Sequence, residues 1–188
     1  GVEEEDLTFE MYDSTAAITA WIQKEPLHRY YYAKNDSTFY RDQIDFYIGE
    51  KDSLLRYQLK WKNGQPASDA LIAMDGTHNS KRVVQMASGD TLYTLSVILS
   101  EEVAATNAYE EMFNTFAIID RQPNHYTETK ARQLFNDLML PDSLIFNEAK
   151  EAISWVEISV KDIPYLQPGL LNPMIDFSYR QPCAPDML

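Results

Sequence analysis

Cysteine, histidine and cationic residues are all scarce in this chain, and each scarcity closes off a class of function. The one cysteine, Cys183, cannot form an intramolecular disulfide, so the fold must rest on a hydrophobic core. The three histidines, His28, His78 and His125, lie in separate segments. The two-histidine zinc helix, the glycine-rich phosphate loops, the dinucleotide fingerprint and the nucleophile elbow are all missing. Sixteen Lys and Arg stand against 29 Asp and Glu, a net charge of -13. Nucleic-acid binding neutralises phosphates with clustered cations, so no nucleic-acid partner is expected, and anionic lipid surfaces are disfavoured on the same ground. No apolar run approaches the roughly 20 residues of a membrane span, so no transmembrane segment is expected.

What the chain does have is apolar and aromatic mass: 45% of its 188 residues are hydrophobic and 12% aromatic. A chain of this length can bury roughly 70% of its unfolded surface, enough for one core without metal or disulfide. Residues 1–12, with the run Glu3-Glu4-Glu5-Asp6, read as an acidic, flexible lead-in, and 13–188 as a single α+β domain.

Periodicity suggests the elements. Ile18, Trp21 and Ile22 recur at three and four residues, predicting a helix from Ser14 to Lys24 that Pro26 ends. After the turn-forming Asn35-Asp36-Ser37, the alternation Ile44, Phe46, Ile48 predicts a strand. Leu55, Tyr57, Leu59 and Trp61 alternate with Arg56, Gln58, Lys60 and Lys62, predicting a half-buried strand over Leu54–Lys62 with its apolar side in the core. Asn63-Gly64 then supplies a tight hairpin turn, lengthened by Pro66, and Ala70–Met74 returns. Arg82–Ala87 and Thr91–Leu99 flank Ser88-Gly89-Asp90 as a second hairpin. Ser100 caps a helix bearing Tyr109, Met112, Phe113 and Phe116 on one side. A further helix is expected over Glu128–Met139, and strands over Ile153–Lys161 and Met174–Tyr179. The sum is α+β: an antiparallel sheet with helices covering one face.

Few constellations carry chemistry. Met74-Asp75-Gly76-Thr77-His78-Asn79-Ser80 gathers a carboxylate, an imidazole, an amide and hydroxyls between two strands, so Asp75, His78 and Asn79 are candidate ligand-binding residues; the same letters are ordinary turn chemistry. Tyr31 is the other candidate, placed outward by alternation if Tyr30 and Tyr32 face the core. Tyr57 and Trp61 read as core. Glu101-Glu102 and Glu110-Glu111 belong to helix surfaces, where solvated charge is ordinary. A Cys183–His125 dyad would require the Pro-rich tail to fold back, for which no residue speaks. No catalytic residue, metal ligand or cofactor is expected.

With Gly1-Val2-Glu3-Glu4-Glu5-Asp6 leading into a Tyr-rich, Cys-poor body, the chain resembles the small exported lipoproteins of Bacteroides-type bacteria. That resemblance implies a lipid-bearing Cys upstream, the acidic run as tether and surface-export signal, and a place in a Gram-negative cell envelope; a cytoplasmic location is the alternative. Asp90–Asp120, a strand, an acidic helix start, a helix with Tyr109 and Phe113 and the apolar exit Phe116–Ile119, is similar to the closing unit of PsbP and Mog1-like sandwiches, which implies a sheet flanked by helices and no catalytic residue. The expected function is a non-enzymatic envelope protein binding a small ligand or a protein partner. The alternatives are a hydrolase or metal-dependent enzyme near Asp75 and His78, and a structural subunit pairing through an edge strand or the tail.

Overall fold

The computed structural model describes residues 7–13, 18–106, 109–141 and 143–165. They fall into two compact units, one running to Thr127 without residues 29–32, the other joining Arg29–Tyr32 to the segment that begins at Glu128.

The first unit is built on one antiparallel sheet of six strands: β1 (Leu7–Asp13), β2 (Ile18–Pro26), β3 (Ser53–Lys62), β4 (Gln65–Ala73), β5 (Asn79–Ser88) and β6 (Thr91–Ser100). Their order is β1-β2-β6-β5-β4-β3, so β3 to β6 form a meander and β2 closes onto β6. Two-residue turns make the first and last links of the meander, β3 to β4 and β5 to β6. Asn63 (φ 51°) and Gly64 (φ 78°) both take the positive angles that a tight right-twisted hairpin needs, and they join β3 directly to β4. Pro66, expected to lengthen that loop, instead lies inside β4 opposite Trp61.

Side chains alternate across this sheet. On one face Ala70, Ile72 and Val83 pack with Ile44 of helix α1 (Asp36–Asp45), joined by Tyr47, Ile48, Leu54 and Tyr57. On the other, Ile18, Ala20, Val84, Leu95, Val97 and Leu99 pack with Phe113, Val103, Met112 and Phe116 from helices α2 (Glu101–Ala104) and α3 (Glu110–Thr115) and the residue after α3. Helices therefore cover both faces, where one covered face was expected. Ser100 caps α2 as its sequence position implied, its Oγ accepting the Val103 N–H at 3.3 Å.

Three expected elements change type. The described part of Ser14–Lys24, from Ile18 on, is not helical and belongs to β2, because Ile18, Ala20 and Ile22 also satisfy period two and the strand, held between β1 and β6, buries Ile18 and Ala20. Ile44, Phe46 and Ile48 do not form a strand. Asn35 is instead a helix cap whose Oδ1 accepts the Thr38 N–H at 2.9 Å, and Phe39, Tyr40 and Ile44 form the buried side of α1. β1 also begins at Leu7, inside the stretch read as a flexible lead-in.

The second unit packs α4 (Ala131–Asp137) on α5 (Ser143–Ala152). Its core joins Tyr30, Leu134, Phe135, Leu138, Ala149, Ala152 and Val156. Here the strand expected over Ile153–Lys161 is replaced by a continued local turn: the N–H groups of Trp155 and Val156 both donate to the Ala152 carbonyl, at 3.1 and 2.9 Å. The alternation of Val156, Ile158 and Val160 suggests a strand, but Val156 continues the helical spacing of Ala149 and Ala152 into the same core. A 3-10 turn, Val160–Asp162, follows, with a Ser159 and Asp162 capping box. The strand expected at Met174–Tyr179 lies outside the described residues.

Candidate functional site

Alternation along β3, β4 and β5 places Arg56, Lys60 and Lys62, Asp69, and Arg82 on the face that carries α3. Asp69 sits opposite Val84 and Arg82 opposite Leu71 and Val97, so both charges are embedded among apolar neighbours; they are 4% and 7% exposed. Such burial demands pairing, and it is met. Arg82 donates from Nε to Asp69 Oδ1 at 3.1 Å and from Nη2 to Oδ2 at 2.9 Å, and from Nη1 to Glu110 Oε1 at 2.6 Å. Its guanidinium carbon stands 4.0 Å from the Phe113 ring centroid. Lys60 Nζ donates to Asp69 Oδ2 at 2.8 Å, with Arg56 farther out at 3.5 Å. Burial by itself raises the Asp69 carboxyl pKa, but the hydrogen bonds and charges of Arg82 and Lys60 together outweigh it and hold it below the ordinary range. The Arg82 hydrogen bonds likewise depress Glu110.

This buttress floors a polar recess of about 290 Å³ whose walls include Lys60, Lys62, Asn63, Ser68, Phe113 and Asn114. Lys62 donates to the Phe113 carbonyl, and its Nζ lies 5.7 Å from the Phe116 ring centroid. Burial lowers the Lys62 ammonium below its ordinary pKa. An ammonium carries three donors, so Lys60 and Lys62 can each serve a ligand beside the partner already held. Toward the β1 end of the same face lies an apolar groove of about 430 Å³ lined by Phe9, Met11, Ala20, Ile22, Leu95, Met112 and Phe116. Phe116 lines the groove and its ring centroid is the one 5.7 Å from Lys62 Nζ, so the recess and the groove lie on the same face, one on each side of α3.

The sequence candidates lie elsewhere. Asp75 and His78 lie in the loop between β4 and β5 and Asn79 opens β5, and the loop closes on itself. The Met74 N–H donates to the Asn79 carbonyl at 3.1 Å, the Thr77 hydroxyl donates to the Met74 carbonyl and accepts the Asn79 N–H, and the Asp75 N–H donates to Asp52 at 3.0 Å. The His78 side chain is 99% exposed, 3.8 Å from Glu101. Tyr31 is in an irregular stretch of the second unit, not on a sheet surface, because the alternation of three tyrosines there does not belong to a strand. Leu59 and Trp61, assigned to the core, are 41% and 75% exposed: β3 is an edge strand, and only Tyr57 and Leu54 of that side reach α1. Glu110, taken as a solvated surface charge, closes the Arg82 cluster. Among the described residues no three His, Cys, Asp or Glu side chains converge as metal ligands, and no helix is long and apolar enough to cross a membrane.

The buried Asp69–Arg82 pair is nearly silent in the sequence. Its one sequence signal is a lone carboxylate in Ala67-Ser68-Asp69-Ala70-Leu71 and a lone guanidinium heading Val83-Val84, each on an apolar strand.

The class defined by this fold is an α+β sandwich with one antiparallel sheet between helices. No protein-family model matches the chain, and no curated protein matches it. Among solved structures, it is similar to a Pseudomonas aeruginosa protein of unknown function at 10% identity, over 61% of this chain and 83% of that one, with a TM-score of 0.47. It is also similar to cyanobacterial PsbP from Synechocystis at 10% identity, over 61% and 92%, with a TM-score of 0.36.

Proposed function

We propose that this chain is a non-enzymatic binding protein of a bacterial cell envelope that holds an anionic amphiphile on the α3 face of its sheet. The observation that carries the proposal is a lysine-lined recess and an apolar groove on one face, with Lys62 Nζ 5.7 Å from the ring centroid of the groove residue Phe116. In a chain of net charge -13, Arg56, Lys60, Lys62 and Arg82 gather around Asp69 and Glu110 among the described residues, a local excess of cation. The depressed Lys62 ammonium gains from an arriving carboxylate or phosphate what burial took from it. Exposed apolar groups at 64% for Phe9 and 59% for Met11 are then covered by the tail. The acidic run ahead of β1, similar to a lipoprotein surface-export signal, supports the envelope location.

The test is thermal unfolding with a long-chain carboxylate, the corresponding alcohol and acetate. A native-state ligand at 100 times its dissociation constant stabilises by about 2.7 kcal/mol. The long-chain carboxylate should raise Tm most, with Lys62→Met reducing that shift toward the alcohol's and Phe9→Ala weakening both long-chain ligands. Equal shifts in wild type and Lys62→Met, or none with any ligand, would overturn the reading. For location, incorporation of labelled palmitate into the native gene product and cleavage by protease added to whole cells are the expected results; their joint failure would remove the envelope from the proposal.

A further inference from the structure

The polar recess on the α3 face holds more positive charge than one anionic charge can balance. Among the described residues its charged groups come from every element around it: Arg56, Lys60 and Lys62 on β3, Asp69 on β4, Arg82 on β5 and Glu110 on α3. Four cations meet two carboxylates, and Arg82 alone already hydrogen-bonds both. The excess is two positive charges. It stands toward solvent, since Arg82 is buried whereas Lys60 and Lys62 line the opening and the Lys60 side chain is 47% exposed. An ammonium has three donors. Lys60 gives one to Asp69 and Lys62 one to the Phe113 carbonyl, which leaves two on each, and Asn63 and Asn114 on the same walls carry amide donors.

Building on the reading of this face as the seat of an anionic amphiphile, we infer that the head group it takes is a phosphate monoester in its dianionic form. A carboxylate or a sulfate ester brings one charge and leaves the second cation without a counter-ion. A phosphate monoester brings close to two at neutral pH, with three strong acceptor oxygens for the lysine and amide donors. Lys60 and Lys62 are two positions apart on β3, about 7 Å by strand rise and on one face, so both ammonium groups can hold one tetrahedral head. Arg82, fixed by Asp69 and Glu110, adds its field from beneath. The second phosphate proton leaves near about pH 6. Asp69 and Glu110, held below the ordinary carboxylate range, stay ionised on both sides of that value, so it is the ligand that changes charge. Burial lowers the Lys62 ammonium; loss of its proton would weaken binding as pH rises, the opposite direction, and cannot imitate the effect.

The test is titration calorimetry on the full chain with octyl phosphate, octyl sulfate and inorganic phosphate, at about pH 5 and about pH 7.5, on either side of the second phosphate proton. At the higher pH octyl phosphate should bind at least about tenfold more tightly than octyl sulfate, the effect of one further charge-assisted hydrogen bond. At the lower pH the two should converge. Lys60→Met, in which Asp69 keeps its Arg82 pair, should bring them together at the higher pH as well. Equal binding of octyl phosphate and octyl sulfate by the wild-type chain at the higher pH, or a preference unchanged at the lower, refutes the inference and leaves the anionic-amphiphile reading standing. Binding of neither ester refutes both. Inorganic phosphate matching octyl phosphate would keep the head group and remove the tail, making free phosphate the occupant.

Discussion

Asp69 is the residue whose partners hold the α3 face together. With Arg82 beneath Phe113, it forms a buried pair, and removing one partner from such a pair strands the other charge. Asp69→Asn is therefore expected to cost about 3 to 5 kcal/mol, measured by urea unfolding. The double change Asp69→Leu with Arg82→Met removes both charges and should recover most of that loss; a double variant no more stable than the single one would show that the pair is not the source. The same carboxylates set an acid limit. Asp69 and Glu110 have folded pKa values below their ordinary 3.8 and 4.5, so their contribution is full above about 4.5 and is lost as pH falls through the depressed values. Unfolding followed from pH 7 to 2 should show stability declining below about pH 4.5, and less steeply in the double variant. Clustered polar residues mark Asp75, His78 and Asn79, whose hydrogen bonds are those of a turn, whereas Asp69 and Arg82 each stand alone in an apolar run. Their partnership spans two strands and a helix, and contacts of that kind leave no local spacing to read.

At the scale of elements, Tyr40 shows how one helix mends a strand. Pro66 has no N–H, so the β4–β5 ladder cannot continue past the pair of Ala67 and Met86. The Tyr40 hydroxyl takes the missing position, donating to the Pro66 carbonyl at 2.8 Å and accepting the Ala87 N–H at 3.0 Å. Burial raises its phenol pKa, so it stays protonated and able to donate. Tyr40→Phe keeps the ring packing yet leaves two buried backbone groups unmet, at an expected cost of about 1 to 3 kcal/mol in chemical denaturation. A loss below about 0.5 kcal/mol would show that water replaces the hydroxyl. The hairpins were legible because their signals are local: Asn63-Gly64 and Gly89 sit at the positive angles their letters suggest. The β2 strand and the turn after α5 were not, since Ile18 and Ile22 fit both periods and Val156, Ile158 and Val160 alternate over too short a window to exclude a turn, and neighbouring elements decided between them.

Across the whole molecule, excess negative charge sets a general repulsion that the cationic recess interrupts locally. Moderate salt screens such repulsion, so raising sodium chloride from about 0.01 M to 0.15 M should raise Tm in scanning calorimetry; a fall would mean that the Lys60, Arg56 and Asp69 attractions dominate. The two units have separate cores, one around the sheet and one around Leu134, Leu138 and Ala152.

The sequence alone determined the α+β class, the β3 to β6 meander and the Ser100 helix start, because alternation, turn residues and caps act within a few positions of themselves. Tertiary structure decided that helices lie on both faces, that β3 and β1 are edges, that Trp61 faces solvent, and that a buried ion pair floors a recess beside an apolar groove. Those outcomes depend on which strands become neighbours, and strand order is set by burial summed over distant segments rather than by any spacing along the chain.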